Sequence, residues 1–114
     1  MYETIPVRCL DIWLERGYTG RIVDLRDRTS YHRSHLCTAE NIPYERWKED
    51  PFHELPQLTW ETPILFYCER GSESMLVCNY YDRLGYKVYN LGGGYRFYCG
   101  KYAESKTALT GGKR

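Results

Sequence analysis

Pro63 to Leu84 reads PILFYCERGSESMLVCNYYDRL, and this stretch decides the fold. Ile64-Leu65-Phe66-Tyr67 is an apolar run long enough for one buried strand. A helical pattern ends the stretch: Leu76, Tyr80 and Leu84 are spaced four apart, with Val77 and Tyr81 on the adjoining rows. Gly85 stands where a helix C-cap glycine is expected. Cys68 closes the strand and opens the turn Glu69-Arg70-Gly71-Ser72-Glu73-Ser74. The unit is strand, cysteine, tight loop, helix.

The first amides of a helix have no intrahelical partners and its dipole is positive there, so the end stabilises anions. A cysteine facing such an end is a better thiolate, and the thiolate is the nucleophile. The same ring of amides can hold an oxyanion substrate or a bound persulfide. The competing reading is a strand-end cysteine that only packs. Spacing alone does not separate the two.

A chain of 114 residues suffices for one core and one domain. A net charge of +1 with both signs interspersed leaves no basic footprint, which argues against a nucleic-acid partner. No apolar run approaches the ~18 residues of a membrane span. Met1 to Gly17 carries charges throughout and lacks an apolar core, so no secretory signal is expected and the chain reads as cytoplasmic. Cys9, Cys37, Cys68, Cys78 and Cys99 form an odd set without C-x-x-C pairs, against a disulfide framework or a zinc site. Cys9 and Cys78 fall inside helical segments and are expected in the core.

Strands and helices alternate. Tyr2 to Ile5 reads as a strand, Val7 to Arg16 as a helix with Val7, Leu10 and Leu14 on one face, and Arg21 to Arg26 as a strand. Asp24 and Arg26 leave that strand on one side at its C-terminal end, where ligands collect in open α/β sheets; an ion pair is the structural alternative. Asp27 to Leu36 is a short helix or loop. His32 and His35 within it lack further ligands and read as surface or hydrogen-bonding residues. Ala39 to Ile42 reads as a brief strand, Tyr44 to Asp50 as one or two helical turns, and Phe52 to Thr62 as a loose connection with His53 exposed. Lys87 to Leu91 is the last strand. It runs into Gly92-Gly93-Gly94, whose torsional freedom lets another backbone or a ligand approach closely. Tyr95 to Tyr102 closes with a short helix. The pattern predicts a small parallel sheet with helices on both faces over residues 1–103, and a mobile tail over residues 104–114, ESKTALTGGKR.

The chain resembles a single rhodanese domain, roughly from Ile5 to Tyr98. Four segments carry the resemblance in order: RIVDLRD (Arg21 to Asp27), with Asp-x-Arg; SHLCTAENIPYERW (Ser34 to Trp47), similar to G-H-I-P-G-A-x-N-I-P; PILFYCERGSES, the strand and active-site loop; and LGYKVYNLGGGYRFY, like the closing L-G-aromatic-x-x-V-x-x-L-x-G-G. The resemblance implies a sulfurtransferase cycle without metal or organic cofactor. Cys68 would take sulfane sulfur from thiosulfate or a persulfide, and a thiol or protein acceptor would remove it. Amides of Glu69, Arg70, Gly71, Ser72, Glu73 and Ser74 would cradle the sulfur. Asp24 and Arg26 would brace the loop, and His35 would be structural.

The chain departs from the family where arginines often flank the loop. Glu69 and Glu73 stand there, and only Arg70 is basic. Carboxylates near a thiolate repel thiosulfate, which points to a protein or a neutral persulfide as physiological donor or acceptor. Cys37 replaces the proline after H-I and reads as a packed residue rather than a resolving thiol. Cysteine-dependent phosphatases and arsenate reductases need an arginine six residues after the cysteine, and Ser74 holds that place. The alternative function is a catalytically weak or silent protein-binding module.

Overall fold

The computed structural model describes residues 1–49, 55 and 59–105. Most of the connection read at Phe52 to Thr62, with His53, lies outside them, as does the tail from residue 106 onward. In chain order the elements are β1 (Glu3–Pro6), α1 (Leu10–Glu15), β2 (Arg21–Asp24), α2 (Arg28–Arg33), β3 (His35–Leu36), β4 (Glu40–Asn41), α3 (Tyr44–Glu49), β5 (Ile64–Tyr67), α4 (Ser72–Arg83), β6 (Val88–Gly92) and β7 (Ala103–Glu104). The expected α/β fold is the observed one. Five strands pair in the order β1-β6-β5-β2-β4, all parallel.

The apolar run Ile64 to Tyr67 takes the central place because all four of its residues are buried, and only a strand covered on both faces accepts such a run. Period-2 alternation divides the side chains between two cores. On one face Val23, Ile64, Phe66 and Val88 pack with Trp47 of α3 and with Val77, Cys78 and Tyr81 of α4. On the other Ile22, Leu65, Tyr67 and Leu91 pack with Leu10 of α1, Leu36 and Tyr95. Register sets Asp24 beside Tyr67, and Phe66 beside Asn90. The carboxyl ends of β2, β5 and β6 therefore meet at one edge.

Several expectations change. The face α4 buries is Ser74, Val77, Cys78 and Tyr81, while Leu76 and Leu84 are 60% and 41% exposed. The four-residue row in the sequence is thus the row beside the buried one. Leu76 instead lines, with Tyr44, Trp47, Val77 and Tyr80, a small apolar groove between α3 and α4. Cys9 is exposed, because Val7–Cys9 is a 3-10 turn that shifts the helical phase before α1 begins. Cys78 is buried as expected. Only Tyr95–Phe97 is helical in the closing segment, a single 3-10 turn. Glu104, the first residue of the expected tail, sits in β7, which pairs antiparallel with β3.

Candidate active site

Cys68 follows β5 directly and is 1% exposed. Its loop turns through Gly71, which takes φ +96° as N-cap of α4, a torsion glycine adopts without steric cost. That turn aims the helix end at the sulfur: Gly71 N–H donates to Cys68 Sγ at 3.0 Å and Ser74 N–H at 3.3 Å. The Cys68 thiol lies 3.4 Å from Ser74 Oγ. Of the six residues expected to cradle sulfur, Gly71 and Ser74 are buried against it, whereas Glu69, Arg70, Ser72 and Glu73 are exposed. Donors converging on sulfur at the positive end of a twelve-residue helix favour negative charge there.

The glycine run after β6 locks the loop from behind. Tyr95 N–H donates to the Cys68 carbonyl at 2.9 Å and Arg96 N–H to the Glu69 carbonyl at 3.2 Å. A Cβ on Gly94 would fall 2.2 Å from Glu69 O, so only glycine lets the two backbones lie this close. The close approach read from Gly92-Gly93-Gly94 is thus to the active loop itself.

Asp24 and Arg26 form a buried ion pair, with side chains 0% and 7% exposed. Arg26 Nη2 donates to Asp24 Oδ2 at 2.9 Å and Nε to Oδ1 at 3.1 Å. Burial opposes the guanidinium charge, but the bonds to Asp24 and its negative charge prevail, and the Arg26 pKa lies above its ordinary value. Arg26 also donates to the Ser34 carbonyl, stacks over Tyr95 at 4.3 Å and reaches Glu69 Oε1 at 3.4 Å. The two loop carboxylates are therefore unequal: Glu69 has a cationic partner across the strand gap.

Beside the loop lies a cleft of about 240 Å³ lined by Leu25, Arg26, Asp27, Ser30, Pro43, Tyr44, Glu45, Glu69 and Glu73. Four of these side chains are acidic and one is basic. Cys68 is not among them, and its sulfur is buried behind the loop. His35 stacks on Tyr31 at 3.9 Å and its Nε2 lies 3.5 Å from Glu104 Oε1, tying β3 to β7 away from the sulfur. Burial and the nearby Glu104 carboxylate push the Cys37 thiol up. Among the described residues no three His, Cys, Asp or Glu side chains come together as metal ligands.

Sequence reasoning passed over Asn90. Its Oδ1 accepts from Ser74 Oγ, and its side chain is buried beneath the loop. The signal available was a polar residue inside the apolar strand Val88 to Leu91, a position that needs a partner.

Such a sheet and loop define a class of α/β proteins that seat a cysteine at a helix N-terminus. Within it, this chain belongs to the rhodanese-like domain family, whose model matches residues 10–101. It is 32% identical over 87 residues to the thiosulfate sulfurtransferase GlpE of Tolumonas auensis, covering 75% of this chain and 78% of that protein. A rhodanese-like domain protein from Staphylococcus aureus superposes with a TM-score of 0.74 at 21% identity, over 91% of this chain and 98% of that one. A rhodanese homologue from the extremely thermophilic bacterium Thermus thermophilus gives 0.59 at 28% identity, over 82% and 98%. No helix among the described residues is long and apolar enough to cross a membrane.

Proposed function

We propose that this protein is a cytoplasmic rhodanese-type sulfurtransferase that carries sulfane sulfur as a persulfide on Cys68. The observation that supports the reading best is the pair of N–H groups, from Gly71 and Ser74, converging on Sγ at the head of α4. In the first displacement the Cys68 thiolate attacks the outer sulfur of the donor. An Sγ–S bond forms, the donor's S–S bond breaks, and the leaving group departs with the electron pair. With thiosulfate that group is sulfite. In the second, an acceptor thiolate, or cyanide in an assay, attacks the terminal sulfur, and Cys68 regains its electron pair as the Sγ–S bond breaks. One hard transfer becomes two easier ones.

The cleft disfavours dianionic donors. Glu73, Asp27 and Glu45 line it, and Arg26 is committed to Asp24 and Glu69. The natural donor is accordingly a protein persulfide or an uncharged low-molecular-weight persulfide rather than thiosulfate, and a protein or small thiol is the acceptor. Steady-state thiocyanate formation with thiosulfate and with a neutral low-molecular-weight persulfide, for wild type and Cys68→Ala, tests this. Turnover that depends on Cys68 and prefers the persulfide is expected. Absence of Cys68-dependent turnover with either donor would leave a binding module in its place.

A further inference from the structure

Among the described residues, one side chain reaches the Cys68 sulfur besides the loop amides. It is the hydroxyl of Ser74, fully buried in the first turn of α4. Its own partner is Oδ1 of Asn90, 2% exposed on β6, sixteen residues further along the chain. A chain of the form S–H···O–H···O=C thus runs from the nucleophile through the helix into the sheet. We infer that Ser74 supplies a third hydrogen-bond donor to the ionised sulfur and that Asn90 is the positioning residue that makes this possible. The inference rests on the reading of Cys68 as a nucleophile.

A hydroxyl has one hydrogen and two lone pairs. While Cys68 carries its proton, the thiol donates to Ser74 Oγ and the hydroxyl hydrogen goes to Asn90 Oδ1, with the Gly71 carbonyl at 3.3 Å as a competing acceptor. When the thiol proton leaves for solvent, the sulfur can only accept. The Ser74 hydrogen then turns from Asn90 to the sulfur. Asn90 carries an acceptor oxygen and a donor nitrogen on one planar amide, so a half-turn presents N–H to Ser74 Oγ and keeps it in place. A carboxylate at position 90 could only accept, and would hold the hydrogen away from the sulfur. The amide also adds no charge beside the thiolate. A merely structural Ser74, bonding across the α4–β6 packing, would stabilise the fold without changing how the sulfur titrates.

Site-resolved alkylation separates the two. The rate of iodoacetamide modification of Cys68, read by peptide mass spectrometry across the pH range in which a thiol titrates, gives the midpoint of thiolate formation. Ser74→Ala, which removes one oxygen and keeps a good helix former, is expected to raise that midpoint by about one pH unit. Asn90→Ala should raise it by less, and should add nothing in the Ser74→Ala background, since it acts only through the hydroxyl. Should Asn90→Ala fail to fold, the near-isosteric Asn90→Leu carries the same reading. An unchanged midpoint in Ser74→Ala, or shifts that add in the double variant, overturns the proposal. Wild-type protein that takes no sulfur defeats the functional reading itself. Wild type that takes sulfur while Ser74→Ala keeps its midpoint defeats this inference alone.

Discussion

Gly94→Ala tests the way the active loop is held. A Cβ at this position would lie 2.2 Å from Glu69 O, 2.5 Å from its carbonyl carbon and 2.7 Å from Arg70 Cα. All three are backbone atoms of the loop, so no rotamer change relieves the overlap. The residue also holds φ +83° and ψ 170°, a region open essentially to glycine alone. The torsion costs roughly 1–3 kcal/mol and the overpacking about as much again, so a loss near 3–5 kcal/mol is expected. For a domain of this size that lowers the melting temperature by roughly 15–25 °C. Gly93→Ala is the control. It has φ +87°, but its nearest atoms would stand 3.7 Å and 3.8 Å away, so only the torsion is strained, at about 1–2 kcal/mol. Thermal unfolding followed by circular dichroism measures both. Sulfur loading of Cys68, well below both melting points, should persist in Gly93→Ala and fail in Gly94→Ala, because the Tyr95 and Arg96 amides no longer fix the Cys68 and Glu69 carbonyls. Equal melting temperatures and equal loading in the two variants would refute the packing argument.

Three further outcomes are expected. Arg26→Met leaves Asp24 buried without its partner and should cost about 3–5 kcal/mol in urea unfolding, while adding Asp24→Asn should recover much of it; a double variant no more stable than the single one contradicts the pairing. Glu73→Arg should raise thiosulfate turnover roughly tenfold by reversing a charge on the cleft wall. Glu69→Arg should gain less because it sets a second guanidinium against Arg26; equal gains would show that the two carboxylates are equivalent after all. Burial, and then the charge of Asp24, raise the Tyr67 pKa in the folded state. The stability this brings is complete below the unfolded value near pH 10 and falls as pH climbs from there towards the folded value, by about 1.4 kcal/mol per pH unit. Tyr67→Phe should flatten the alkaline decline in urea stability by that share, and an unchanged slope counts against it.

The parts of the fold readable from sequence are local ones. The strand, Cys68, its loop and α4 follow one another within twenty residues, and strand and helix each obey a short-range rule, an apolar run and a helical spacing. Asp24 and Arg26 were visible for the same reason, being two residues apart at a strand end. The inward face of α4 was not decided by spacing, because residues four apart describe one helical row without saying which neighbouring row meets the sheet; it is the adjoining row of Val77 and Tyr81 that is buried. Ser74 belongs to the buried row and is polar, which weakens the apolar signal there and strengthens the outer row of Leu76 and Leu84. The pairing of β3 with β7 involves two-residue strands some seventy residues apart, too short for any periodicity. Asn90 was missed because its partner comes from a different element, and a contact of that kind is set by strand register rather than by spacing.

Whether Cys68 carries sulfur is decided by intact-protein mass spectrometry. Wild type and Cys68→Ala are incubated with thiosulfate and, separately, with a neutral low-molecular-weight persulfide, then exposed to cyanide. A gain of one sulfur atom is expected on the wild type, more complete with the persulfide, absent in Cys68→Ala and removed by cyanide. A wild-type mass that stays unchanged with both donors, or a gain that survives in Cys68→Ala, would contradict it.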